Sequence, residues 1–339
     1  MKQLEQSFEK KKVLVTGGLG FVGSNLTRRL VELSAEVSIV DSLLPDQGGN
    51  HFNLDGLEDS VNIQVADMQD TDVMSGLVQD CDYIFNLAAR TSHVGSIERP
   101  LDDLEANCRS HLVFLELLKQ NNRDCRVVYT GSRSQYGRAL YLPVDEEHPF
   151  NAMDTNGVHK ATVEMYHLLY SRVFGVRCCC LRLSNVFGPR HQMSHSRQGF
   201  IHWFIRLALS GEDIEVFGDG TQQRDFIYID DAVEAILQAA VEPLCYDEAF
   251  NIGIGAPMSI DEIAARIAEK TGCAYSLVPF PQEFLSVEIG DLYLDVSKFK
   301  GVTGWEPAVD FDAGLDATLD FYKEYGDRYW NSSEADIIG

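Results

Sequence analysis

The chain has 339 residues, 45% of them hydrophobic and 24% charged, and a formal net charge of −24 from 28 Lys and Arg against 52 Asp and Glu. This composition suits a folded chain with ample core, and the acidic excess argues against a nucleic-acid partner, which needs clustered cations. No apolar run approaches the roughly 18 residues of a membrane span. The polar opening MKQLEQSFEKKK has no apolar signal region, so the expectation is a cytoplasmic protein with no membrane partner.

In chain order, KVLVT (12–16) reads as a strand and Phe21 to about Leu33 as a helix. EVSIV (36–40), NIQV (62–65), DYIFN (82–86), RVVYT (126–130) and CCCLRL (178–183) read as further strands, with helical periodicity over 103–119 and about 156–173. The alternation predicts an α/β fold, a Rossmann-type doubly wound parallel sheet covered on both faces. Past Asn185, Gly- and Pro-containing loops mix with helical stretches near 200–210, 230–241, 260–271 and 312–325. A smaller α/β C-terminal domain follows, entwined with the first. The expected division is 1–184 for cofactor binding, with segments returning from the C-terminal half, and 185–339 mainly for substrate, with ligand in the cleft between them. The eight cysteines show no paired zinc spacing. Neighbouring Cys178, Cys179 and Cys180 alternate between the faces of a strand, so they are read as small buried hydrophobes and no metal site is expected.

TGGLGFVG (16–23) lies between a strand and a helix, with glycines at Gly17, Gly20 and Gly23. That context suits a dinucleotide loop. Its glycines allow a tight turn, close approach of backbone to pyrophosphate and close packing of helix on strand, and the helix N-terminus at Phe21 and Val22 attracts the anion. Asp41, at the end of the second strand, is placed to accept from ribose hydroxyls. No Lys or Arg occurs from Asp41 to Ser60 or in the loop, so a 2′-phosphate would meet a carboxylate and no cation; NAD is expected rather than NADP.

With these residues the chain resembles the extended short-chain dehydrogenase/reductases of the NAD-dependent epimerase/dehydratase type, which act on nucleotide sugars. The likeness runs from about residue 12 to 325. Asp67 and Met68 in VADMQD resemble the segment meeting the adenine. Leu87, Ala88 and Ala89 in NLAA resemble the segment lining the cofactor, and Asn107 resembles a structural Asn. SRSQYG (132–137) resembles the stretch with the active-site Ser. LRLSNVFGPR (181–190), FGDGTQQRDFIYIDD (217–231) and GWEP (304–307) resemble later landmarks. The resemblance implies NAD as cofactor, a nucleoside diphosphate sugar as substrate, and a homodimer formed through helices 103–119 and 156–173.

The family couples hydride transfer to removal of a hydroxyl proton by the Tyr of Y-x-x-x-K, with the Lys holding ribose. Ser132 and Lys160 match, but the residue four before Lys160 is Asn156. An amide has no titratable proton near neutral pH and is no general base. Tyr141 and Tyr166 have the wrong spacing from any later Lys. Three readings stay open: redox chemistry with a base from His159, Tyr136, His93, water or the substrate; an NAD- and sugar-nucleotide-binding protein with little turnover; or a variant engineered from Tyr to Asn.

Arg133 and Ser134 follow Ser132, where related dehydratases and decarboxylases carry acids. Epimerisation is therefore the first expectation, with dehydratase, decarboxylase or reductase as alternatives. The resemblance further assigns substrate contacts to His93, Ser134, Asn185, Phe217 and Arg224, the last as a diphosphate clamp. A second family Arg is replaced by Glu288, a carboxylate poorly suited to a diphosphate.

Overall fold

A computed structural model describes residues 2–45, 47–196, 198–282 and 288–330, so the outer limits of the two expected domains, 1 and 339, lie outside the described residues. Seven strands form one sheet: β1 (Lys12–Thr16), β2 (Glu36–Asp41), β3 (Val61–Val65), β4 (Tyr83–Asn86), β5 (Arg126–Ser132), β6 (Arg177–Leu183) and β7 (Ala249–Ile252). Their spatial order is β7-β6-β5-β4-β1-β2-β3, and every neighbouring pair is parallel. The order reverses at β1 and β4, so the loops after those strands diverge and open a crevice at their carboxyl ends. Helices cover both faces, which is why the inner strands read as continuous apolar runs. Cys178, Cys179 and Cys180 on β6 are all fully buried.

The helix after the glycine loop spans Phe21–Glu32 and a long helix spans Thr155–Phe174. The expected helix over 103–119 is instead broken: Pro100–Leu104, a π-helical turn at Glu105–Arg109, then Ser110–Asn121. The turn carries Asn107, whose amide is committed to the backbone of Arg90. The polar N-terminus, which carries no expected element, forms the helix Lys2–Phe8. Leu4 and Phe8 are buried, and the Phe8 ring lies 4.7 Å from Tyr83.

Beyond Asn185, three small ribbons build the far wall: Asn185–Phe187 with Phe226–Tyr228, Gln223–Arg224 with Met258–Ser259, and Ile214–Phe217 with Tyr275–Val278. The chain also returns to the main sheet through β7. Among the described residues no helix is long and apolar enough to cross a membrane, and no cluster of three His, Cys, Asp or Glu is arranged to hold a metal.

One buried ion pair supports the turn after β5. Glu164 receives Arg182 through two bonds, of 2.6 and 2.9 Å, and the Gln135 amide at 2.8 Å. Both charged side chains are almost fully buried. Removing one partner strands the other charge in the core. Glu164→Leu is expected to cost about 3–5 kcal/mol in urea unfolding; a loss below about 1 kcal/mol would show that Arg182 reaches solvent.

Candidate functional site

The crevice is a cavity of about 1730 Å³, lined from the glycine loop across to the small ribbons. At its cofactor end lie Gly17, Gly20, Phe21, Val22 and Gly23. Gly17 has φ +70°, and a Cβ there would stand 2.9 Å from the Ala88 Cα; a Cβ on Gly23 would stand 2.1 Å from the Gly17 carbonyl oxygen. No other residue fits this turn without moving backbone. No side chain caps the helix at Gly20, so its first N–H groups remain available to an anion. This bare, positively polarised cradle fits a pyrophosphate.

Asp41 also lines the cavity. Its carboxylate accepts from the N–H groups of Leu19 (3.0 Å) and Leu43 (2.9 Å), and burial raises its pKa. Asp67, Met68, Leu87, Ala88 and Ala89 complete the cofactor wall. Leu87 and Ala88 are set by their N–H bonds to the Thr16 hydroxyl, at 3.0 and 3.1 Å. Among the described residues the cations lining the cavity are Arg90, Arg133, Lys160 and Arg224, none of them from the segment that follows Asp41.

Ser132, Asn156 and Lys160 meet midway along the cavity. Ser132 Oγ accepts the Ser134 N–H at 3.1 Å, which leaves its own proton free to donate. The Lys160 ammonium donates to the Thr130 carbonyl at 3.1 Å, and burial pushes its pKa down to about 8. Asn156 Nδ2 donates to the Arg90 carbonyl at 2.7 Å, and its backbone N–H donates to Ser96 Oγ at 3.2 Å.

Two of the other candidate bases are spent elsewhere. Tyr136 is fully buried and donates to Asn251 Oδ1 at 2.6 Å; burial drives its pKa upward. His159 is buried against Asp103 at 2.6 Å. Neither lines the cavity, whereas His93 does, with Nδ1 2.7 Å from Asp154 Oδ2.

The substrate wall departs from expectation at Ser134. After Ser132 the chain enters the 3-10 turn Arg133–Gln135, which turns Ser134 inward and Arg133 toward the cleft. Ser134 is buried and is not among the lining residues. Arg133, read in the sequence only as a non-acid, donates from Nε to Asn185 Oδ1 at 2.9 Å. Burial lowers its pKa to about 9, so it stays cationic at neutral pH. Asn185, Phe217 and Arg224 line the cavity. Arg224 is paired with Glu288 at 3.2 Å, so the guanidinium and the carboxylate meet on the same wall of the cavity.

A sequence profile of the NAD dependent epimerase/dehydratase family matches residues 13–253. A protein from Methanocaldococcus jannaschii described as a putative UDP-glucose 4-epimerase is 33% identical, over 92% of this chain and 98% of its own length. The structure of the epimerase Mth375 from Methanothermobacter thermautotrophicus matches with a TM-score of 0.88 and 26% identity, over 96% of both chains. A UDP-N-acetylglucosamine 4-epimerase from Methanobrevibacter ruminantium, solved with UDP-N-acetylmuramic acid, matches with a TM-score of 0.86 and 29% identity, over 94% of this chain and 99% of the other. The chain belongs to the NAD-dependent epimerase/dehydratase family.

Proposed function

We propose that this protein binds NAD and epimerises a nucleoside diphosphate sugar, with UDP-hexoses as the first candidates, by reversible oxidation at a sugar carbinol. One observation carries the proposal: a single cavity joins the bare glycine cradle and Asp41 to Ser132 and Lys160, and then to the guanidinium groups of Arg133 and Arg224. In this reading residues 1–184 with the returning strand β7 serve the cofactor, and residues 185–339 mainly the substrate. The epimerase descriptions of the relatives support it.

NAD, when bound, supplies a reversible hydride acceptor. The protein's own groups do the rest. The glycine cradle and helix N-terminus hold pyrophosphate, and Asp41 accepts from the adenosine ribose. Lys160 supports the second ribose, and Ser132 donates to the sugar oxygen that reacts. Arg133 and Arg224 face the substrate's phosphates, with Glu288 moderating the second. No acid follows Ser132, so elimination of water lacks the proton carrier it needs at that position. Asn156 favours a second reading, NAD and sugar-nucleotide binding with little turnover.

The long helix Thr155–Phe174 leaves Val158, Met165, Leu169 and Val173 exposed along one side. In this proposal a second copy of the chain covers them. Sedimentation is expected to give twice the 37.9 kDa protomer mass, and Met165→Asp to give monomers; a wild-type monomer at micromolar concentration would refute the dimer.

Purified protein is expected to carry NAD(H) and to interconvert at least one epimer pair from a panel of UDP-, dTDP-, GDP- and CDP-sugars followed by proton NMR. Tight NAD binding with no turnover across the panel would favour the second reading. NAD is expected to bind at least a hundredfold more tightly than NADP by calorimetry. Asp41→Ala is expected to shrink that ratio by about tenfold or more, because a carboxylate repels a 2′-phosphate; an unchanged ratio would remove Asp41 from cofactor selection.

A further inference from the structure

We infer that His93 and Asp154 form a general-base dyad that takes the sugar hydroxyl proton in place of the tyrosine replaced by Asn156. The inference rests on the epimerase reading above and names the residue that reading leaves open. His93 opens the short helix His93–Glu98, and Asp154 is the N-cap of the helix Thr155–Phe174, two residues before Asn156. The Nδ1···Oδ2 distance is 2.7 Å; 44% of the His93 side chain is exposed, but only 10% of the Asp154 side chain. The carboxylate is thus buried and aimed at the ring, while the ring lines the same cavity as Ser132 and Lys160.

A carboxylate on Nδ1 fixes the tautomer. In the neutral imidazole the proton sits on Nδ1, leaving the Nε2 lone pair as acceptor. Asp154 is held in turn: its other oxygen accepts the Gly157 N–H at 2.7 Å, and hydrogen bonding to His93 lowers its pKa against the opposing effect of burial. The loop that carries His93 is tied down by the substituted residue itself. Asn156 bonds the Arg90 carbonyl on one side of His93 and Ser96 Oγ on the other. The remaining ionisable groups on this wall of the cavity are Arg90, Glu98, Arg133 and Lys160.

In the step, the sugar O–H bond breaks and its proton passes to His93 Nε2. The C–H bond of the same carbon breaks, and NAD⁺, held by the glycine cradle, would supply the hydride acceptor. The carbinol is oxidised by two electrons to a ketone. Return of hydride to the opposite face and of the proton from Nε2 to oxygen gives the epimer. Asp154 acts as a positioning residue.

The test combines kinetics with ¹⁵N NMR of the NAD-loaded protein. His93→Gln is expected to lower kcat by about 10²–10⁴, with NAD and UDP-galactose affinities within threefold of wild type. Asp154→Asn retains a good N-cap, so a merely structural Asp154 predicts no change. The dyad predicts at least a tenfold fall in kcat, an unaltered KM and loss of the Nδ1-protonated preference. Asn156→Tyr added to His93→Gln is expected to restore at least tenfold. At a pH where the ring is neutral, the His93 Nε2 resonance should be that of a bare nitrogen and should shift when UDP-galactose binds. A proton on Nε2, no shift on binding, a kcat for His93→Gln within threefold of wild type, or no restoration by the added tyrosine would overturn the dyad. If the wild type turns over no sugar nucleotide, the epimerase reading fails, and the tautomer and the Nε2 response still decide the dyad.

Discussion

The site depends on how one loop is fastened to one helix. The carbonyl of Arg90 accepts two side-chain amides, Asn107 at 2.9 Å and Asn156 at 2.7 Å. The first comes from the π-turn that breaks the helical stretch over 103–119, and the second from the first turn of the long helix Thr155–Phe174. With the Ser96 bond to Asn156 and the His93 bond to Asp154, residues 90–96 become a fixed wall rather than a mobile loop.

The same fastening changes the meaning of Asn156. In the pattern that the sequence resembles, its position is expected to hold a proton acceptor, which an amide cannot be. As an amide it donates from Nδ2 to the Arg90 carbonyl, on the loop that leads to His93. The polar wall opposite follows similar logic. Glu288 would repel a diphosphate if free, but it is paired with Arg224, while Arg133 stays cationic on the same cavity.

Much of the fold was legible because its strands are short, apolar and regularly spaced. The strands from KVLVT to CCCLRL fall within a few residues of their expected limits, since a sheet buried on both faces leaves little ambiguity in an apolar run. The N-terminal helix was not legible: two apolar residues, Leu4 and Phe8, are buried in it, and the Tyr83 ring that meets Phe8 is remote in sequence. The break at Glu105–Arg109 was hidden because the partner of its Asn107, the Arg90 backbone, lies outside the helix. Among site residues, the glycine loop could be read because its glycines act locally. Ser134 could not, because a single 3-10 turn decides whether it or Arg133 faces the cleft. The pairing of His93 with Asp154 spans 61 positions, and no local pattern marks it. Tyr136 and His159, candidate bases alongside His93, are kept out of the cavity by burial and by their own partners.

If the cavity oxidises and re-reduces one sugar carbon, as proposed, the transferred hydrogen stays inside the protein through the whole cycle. The most direct measurement is the fate of deuterium at C4 of UDP-galactose during conversion in ordinary water. UDP-glucose that retains the deuterium at C4 is expected, because the hydride leaves and returns within the cavity while only the hydroxyl proton exchanges. Product carrying solvent hydrogen at C4, or a carbon–oxygen bond exchanged with labelled water, would contradict it.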